Sequence, residues 1–161
     1  MNLNPLYPVQ AELDEYIGRT KGIDMSQYKK DRIIAFSVEF HELLNELIFL
    51  FKYWKNAHMD REKALEEYVD GMHFLVSIGN DFGITEHSYV RPNEQDMKQI
   101  ALGIMNMISI LPNIPNFKPM YNALANYYIL FGEKLGFFEE EITNAYMKKH
   151  EENYARQMEG Y

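Results

Sequence analysis

From Phe36 to Asn80 the sequence reads FSVEFHELLNELIFLFKYWKNAHMDREKALEEYVDGMHFLVSIGN, and acidic residues recur in it at helical spacing beside apolar ones. Glu39 and Glu42 are three residues apart, Glu46 follows four further on, and Glu67 and Asp70 repeat the three-residue step. On a helix such steps stack side chains along one stripe. The first stripe falls beside the apolar face of Phe36, Phe40, Leu43, Leu47, Phe51 and Trp54, not opposite it. Two acid-bearing helices bordering a common core are therefore the expected centre of the fold.

Carboxylates at the edge of a core lose hydration and repel one another, which disfavours their ionised forms unless a cation joins them. A hard divalent cation such as Mg²⁺ satisfies an all-oxygen set, keeps several waters and is commonly completed by phosphates. From Tyr68 to Ile78 the run YVDGMHFLVSI is apolar except for Asp70, His73 and Ser77, so an acid there needs a reason. The competing reading is a solvated, salt-bridged helix face, since the chain carries 24 acidic residues in 161.

Composition narrows the classes of function. A net charge of -8 and a pI near 5.1 argue against a nucleic-acid groove, which needs clustered Lys and Arg. A small anionic substrate remains compatible, because a bound metal reverses the local sign. With no cysteine there is neither a disulfide framework nor a thiolate zinc site. The N-terminal MNLNPLYPVQAELDEY lacks a basic start followed by an apolar stretch, and no run reaches the length of a membrane span, so a cytoplasmic, membrane-free protein is expected. At this length and 47% hydrophobic residues, a single domain over 1–161 is expected.

Taken in order, 8–18 predicts a short helix ended by Gly18, and Ser26 is the expected cap of a long helix over 27–56. The apolar face of that helix is wider than one partner needs, which suits burial on two sides or a dimer seam, and Phe51 and Trp54 are candidate walls of a base pocket. Asp60 is the expected cap of the second acid helix, 61–78, with Gly79-Asn80 as its stop. Gly71 beside Asp70 weakens that helix by about 1 kcal/mol relative to Ala, so a close backbone approach is expected there. Residues 81–92 form the longest connection. Asn93 then caps a helix through Leu111 with Met97, Ile100, Ala101, Ile104, Met107, Ile108 and Leu111 as its apolar stripe. The proline-punctuated PNIPNFKP precedes a helix over 120–136 closed by Gly136, and the last helix spans 139–158. That helix is polar enough to be a solvated tail, yet Lys149, Asn153 and Arg156 share one face, with Tyr161 beyond, as donors able to fold over phosphates.

The pattern Glu39-x-x-Glu42 followed by Glu67-x-x-Asp70 resembles the all-α nucleoside triphosphate pyrophosphatases, which include the MazG-like proteins and the dimeric dUTPases. NEL with FKYW after the first acid pair, EEYVDGMHF around the second, SIGN beyond it and the ending AYMKKHEENYARQMEGY look most like the dimeric dUTPase branch. The resemblance covers about Gln10 to Tyr161. It implies an all-α helical bundle, dimeric, that hydrolyses dUTP to dUMP and pyrophosphate, with dUDP as a further candidate substrate.

Under the resemblance Glu39, Glu42, Glu67 and Asp70 hold Mg²⁺. Glu39 is the candidate general base, and Glu46 orients the ligands from behind. Gln10, the glutamine before the LD pair, is placed near uracil, against the plainer reading of a surface glutamine. His73 is placed against the deoxyribose and base, where its ring leaves no room for a ribose 2′-hydroxyl, against the plainer reading of a packed core histidine. The segment 148–161 closes over the phosphates, with Lys149 and Arg156 on phosphate oxygens and Asn153 on base or sugar.

Three alternatives compete with the dUTPase reading. A MazG-like pyrophosphatase of other or broader base preference shares the acid pairs. A di-iron bundle could use Asp70 and His73 as one ligand pair, but no acid precedes His41, His58, His87 or His150 by three residues to supply the second. A helical interaction module would leave the acids as surface charge.

Overall fold

The computed structural model describes residues 1–56 and 58–160. Among them the chain is all helical: α1 is Leu6–Lys21, α2 Lys29–Glu46, α3 Arg61–Asp81, α4 Met97–Ile110, α5 Phe117–Lys134 and α6 Glu139–Met158, with short 3₁₀ turns at Met25–Tyr28, Ile48–Leu50 and Leu111–Asn113. The all-α expectation holds.

α3 is the axis of the molecule, with α1, α2, α5 and α6 all packing on it and α4 lying against α5. Its position explains its composition. Tyr68, Val69, Met72, Leu75, Val76 and Ile78 are all buried because neighbours surround the helix, and Gly71 faces the Tyr128 side chain of α5. A Cβ there would lie 2.2 Å from the Tyr128 hydroxyl, so the close approach is made by a side chain of α5 and not by backbone as expected.

Helix boundaries differ from the sequence expectations at several points, and five of them have a local cause. α1 runs through Gly18, where a Cβ would meet the Met25 side chain at 2.7 Å, and ends at Gly22, whose φ of +66° suits glycine. Asp24, not Ser26, caps the next turn by accepting from the Ser26 N–H at 3.0 Å. α2 stops at Glu46 instead of continuing to Asn56. Leu47 leaves helical geometry, and the 3₁₀ turn after it carries Leu50 into the core beside Leu47 while Phe49, Phe51 and Trp54 remain exposed. Burial of the two leucines, which no local signal announces, sets that end.

α3 passes Gly79-Asn80 and ends at Asp81; the turn comes at Gly83, with φ +70°. Gly79 serves packing instead, since a Cβ would lie 2.5 Å from the Tyr121 hydroxyl. At α4 the cap is Asp96, which accepts from the Lys98 N–H at 2.8 Å, and Asn93 lies before it in the connection. In the expected stripe of α4, Ile100, Ala101, Ile104, Met107, Ile108 and Leu111 are buried and Met97 is partly so; at α3 the exposed Asp60 caps as expected, accepting from the Lys63 N–H at 3.3 Å.

α6 is not a free tail. Glu139, Glu140 and Glu141 occupy its first turn, where the helix dipole favours anions, and Arg61 of α3 bridges Glu141 and the Gly136 carbonyl. Ile142 and Tyr146 are buried under it, and His150 meets the Val9 carbonyl of α1 at 3.2 Å. This seats one face of a polar helix over α1 and α3. Among the described residues no helix is long and apolar enough to cross a membrane.

Candidate active site

α2 and α3 bring Glu39, Glu67 and Asp70 together, each half-buried, with carboxylate oxygens all within 4.8 Å of one another. The physical consequence is a shared reluctance to ionise. Burial first, and then the charges of Asp70, Glu42 and Glu67, push Glu39 up to about 7. Glu67 and Asp70 are raised as well, burial again being the larger cause. Glu42 is exposed and outside this trio, although its charge acts on both Glu39 and Glu67. Glu46 ends α2 one turn beyond Glu42 and is bonded to none of the three.

α6 supplies the opposing charge. The Lys149 ammonium is 2.7 Å from Asp70 Oδ2 and 3.3 Å from Glu66 Oε1. Burial opposes its charge, but bonding to these two acids outweighs burial and holds its pKa above the ordinary lysine value. Glu66 is a partner that the sequence reading did not single out.

Beside the cluster opens a cavity of about 400 Å³ between α1, α2, α3 and α6. Of the residues expected at the substrate, Gln10, His73, Lys149, Asn153 and Arg156 all line it, together with Glu39 and Asp70. The structure does not bring Phe51 or Trp54 there: they are 45% and 64% exposed beyond the end of α2, so the base-pocket wall expected of them is absent from this chain's cavity. Tyr161 lies outside the described residues.

Beneath the cavity is a buried polar network. Gln10 is 4% exposed and His73 5%, so Gln10 is not a surface residue. Gln10 Oε1 is 2.8 Å from His73 Nδ1 and accepts from the Tyr146 hydroxyl at 2.6 Å, while its Nε2 donates to Asp14 at 2.9 Å. Ser77 donates to the other Asp14 oxygen at 2.5 Å. Burial, then the charge of His150, pulls His73 down to about 3, so the ring is neutral at physiological pH. Burial also raises Asp14.

Arg32 completes the floor, bonded to Asp81 at 2.6 Å and to the Met25 carbonyl at 3.1 Å. Asp14, Ser77, Arg32 and Tyr146 escaped the sequence reading as site residues. Two of them carried a usable signal, because Asp14 follows Gln10 by four residues and Ser77 follows His73 by four, placing polar pairs on otherwise apolar helix faces.

Chemically, the arrangement offers an all-oxygen acid cluster at one end of a cavity and two cationic side chains, Lys149 and Arg156, on its wall, which suits a polyanion held through a divalent cation. A family model described as dUTPase matches residues 2–161. No curated protein and no solved structure matches the chain.

Proposed function

The chain belongs to the dUTPase family, and on that premise we propose that it is a dUTP diphosphatase, hydrolysing dUTP to dUMP and pyrophosphate in the cavity between α1, α2, α3 and α6. The observation that carries the reading is the convergence of Glu39, Glu67 and Asp70 at the cavity's edge. The donor set fits Mg²⁺: hard oxygens only, close enough to share an ion, and raised in pKa in a way that a cation relieves. Glu39, Glu67 and Asp70 would hold it, with Glu42 adding charge from the exposed side. When bound, Mg²⁺ neutralises phosphate charge and acidifies water.

The chain's own groups do the rest. Water forms a bond to phosphorus at the α–β bridge, that bridging P–O bond breaks, and Glu39 receives the water's proton as general base. Lys149 and Arg156 draw the charge that develops on the departing phosphates, and Asn153, one turn from Lys149, serves the base or sugar. Residues 148–161 would close over the nucleotide and exclude water. Glu46 supports α2 behind the acids.

We assign the same chain to a homodimer in the cytoplasm, with no nucleic-acid polymer or membrane as partner. Support for the dimer comes from the outer face of α2 and its extension, where Ile34, Val38, Phe49, Phe51, Tyr53 and Trp54 are all exposed. Sedimentation at micromolar concentration checks this, and a monomer contradicts it.

The test of substrate is pyrophosphate release from dUTP, dUDP, dTTP, dCTP and UTP in parallel. Selective turnover of dUTP, alone or with phosphate release from dUDP, supports the assignment. Comparable turnover of dCTP or UTP transfers the protein to a MazG-like pyrophosphatase of broader preference.

A further inference from the structure

The polar groups under the cavity form one directed chain. Asp14 accepts on both oxygens, from the Ser77 hydroxyl on Oδ2 and from the Gln10 amide on Oδ1. A carboxylate accepting on both oxygens faces the NH₂ end of an amide, which turns the Gln10 oxygen the other way. That oxygen receives the Tyr146 hydroxyl and lies 2.8 Å from His73 Nδ1. An amide oxygen has no proton to give, so Nδ1 carries the hydrogen and Nε2 keeps a lone pair.

Nε2 is out of solvent and makes no hydrogen bond, although the Tyr146 backbone carbonyl lies near enough to act on the ring, which itself lines the cavity and stacks on Tyr146 with centroids 3.7 Å apart. Buried polar atoms without partners are uncommon in folded chains, and one beside a ligand-sized cavity is accounted for by a group that arrives with the ligand. Gln10, for its part, has both oxygen lone pairs engaged and one of its two N–H groups used, so little of it is left to read a base.

Resting on the nucleotide reading above, we infer that Asp14 and Gln10 are positioning residues which fix His73 as the Nδ1–H tautomer, so that Nε2 accepts a hydrogen bond from a donor on the bound nucleoside. A deoxyuridine offers two such donors, the 3′-hydroxyl and the imide N3–H. Tyr146 ties the arrangement to α6: its hydroxyl holds the Gln10 oxygen and its ring supports the imidazole. The side chains that grip the nucleoside and the helix that carries Lys149 and Arg156 are thereby joined through one amide.

The experiment reads the tautomer directly. Two-bond ¹H–¹⁵N correlations are recorded on histidine-labelled protein free of metal and nucleotide, with His73 identified by its loss in His73→Gln. The expected spectrum shows Nδ1 protonated and Nε2 bare in the wild type, and a mixture of the two tautomers in Asp14→Asn, whose amide no longer dictates the direction of Gln10. A wild-type ring protonated on Nε2 and donating to the Tyr146 carbonyl overturns the inference, as does an unchanged spectrum in Asp14→Asn. The spectra are independent of turnover, so they stand or fall apart from the dUTPase assignment.

A second arm measures binding of deoxyuridine monophosphate, its 3′-deoxy analogue and its N3-methyl analogue. The analogue lacking the donor that reaches Nε2 is expected to bind roughly three- to tenfold more weakly to the wild type, and the difference is expected to vanish in His73→Gln. Equal binding of all three to the wild type overturns the acceptor role even if the tautomer is as stated. Failure of all three to bind removes the nucleotide reading and with it the acceptor role, while the tautomer result stands.

Discussion

Lys149 Nζ lies 2.7 Å from Asp70 Oδ2, which puts a cation from the last helix at the edge of the acid cluster formed by α2 and α3. Asp70, Glu66 and Lys149 form a compact set in which the ammonium offsets part of the charge that raises Glu39 and Glu67. On the function proposed above, a divalent ion held by Glu39, Glu67 and Asp70 would take over that task and leave the ammonium for phosphate.

Lys149→Met is therefore expected to sharpen the protein's response to metal. Without the ammonium the cluster repels itself more strongly, so Mg²⁺ alone is expected to raise the unfolding midpoint by roughly 2–4 °C more in the variant than in the wild type. Thermal unfolding with and without Mg²⁺ measures this. A smaller response in the variant would mean that Lys149 helps to hold the ion site together and does not compete for it.

The acid cluster also sets a pH dependence. Glu39 in the fold is raised to about 7 by burial and then by its acidic neighbours, whereas an unfolded glutamate titrates near about 4.3. The folded state thus favours the protonated acid: its contribution to stability is full below the unfolded value and is lost as pH rises through about 7. Metal-free protein is expected to lose a few degrees of midpoint between pH 5 and 8, and Glu39→Gln to flatten that slope. Because metal binding needs the ionised acid, apparent Mg²⁺ affinity is expected to rise over the same interval. A midpoint that climbs toward pH 8 without metal would contradict the assignment.

Gly71→Ala tests the packing of the axis. Alanine is the better helix former, but its Cβ would fall 2.2 Å from the Tyr128 hydroxyl, which itself bonds the Tyr68 carbonyl at 2.8 Å in a stacked tyrosine pair. The expected result is a loss of about 2–4 kcal/mol in denaturant unfolding, from overpacking and the displaced hydrogen bond. Equal or greater stability would show that Tyr128 moves aside freely.

Arg156→Ala addresses the phosphate wall. Arg156 lines the cavity on the exposed part of α6, so its removal is expected to leave the fold intact and raise KM for dUTP by roughly tenfold or more, the usual effect of losing a charged hydrogen bond. Steady-state kinetics beside a thermal melt separates the two effects. An unchanged KM removes Arg156 from the substrate's path.

Much of this architecture was legible in residue spacing. The acid pairs share helix faces, so Glu39, Glu67 and Asp70 meet as soon as α2 packs on α3, and Lys149, Asn153 and Arg156 reach the cavity because they share a face of α6. Gly71 announced a close approach because glycine is costly inside a helix. What spacing could not carry was the end of α2. No proline or glycine marks it, and burial of Leu47 and Leu50 decides it, which is why Phe51 and Trp54 point to the surface instead of the cavity. Arg32 and Tyr146 were hidden for another reason: their role lies in partners far along the chain, Tyr146 with Gln10 and Arg32 with Asp81. Helix periodicity reports neighbours four residues away, not one hundred.

The most direct test of the central claim is pyrophosphate release from dUTP by the wild type and by Glu39→Gln, each with Mg²⁺ and with EDTA. The expected result is turnover by the wild type with Mg²⁺, none with EDTA, and a loss of a hundredfold or more, on the order of a lost general base, in a variant that still melts cooperatively. Turnover that survives either EDTA or the substitution would contradict a reaction centred on the Glu39, Glu67 and Asp70 cluster.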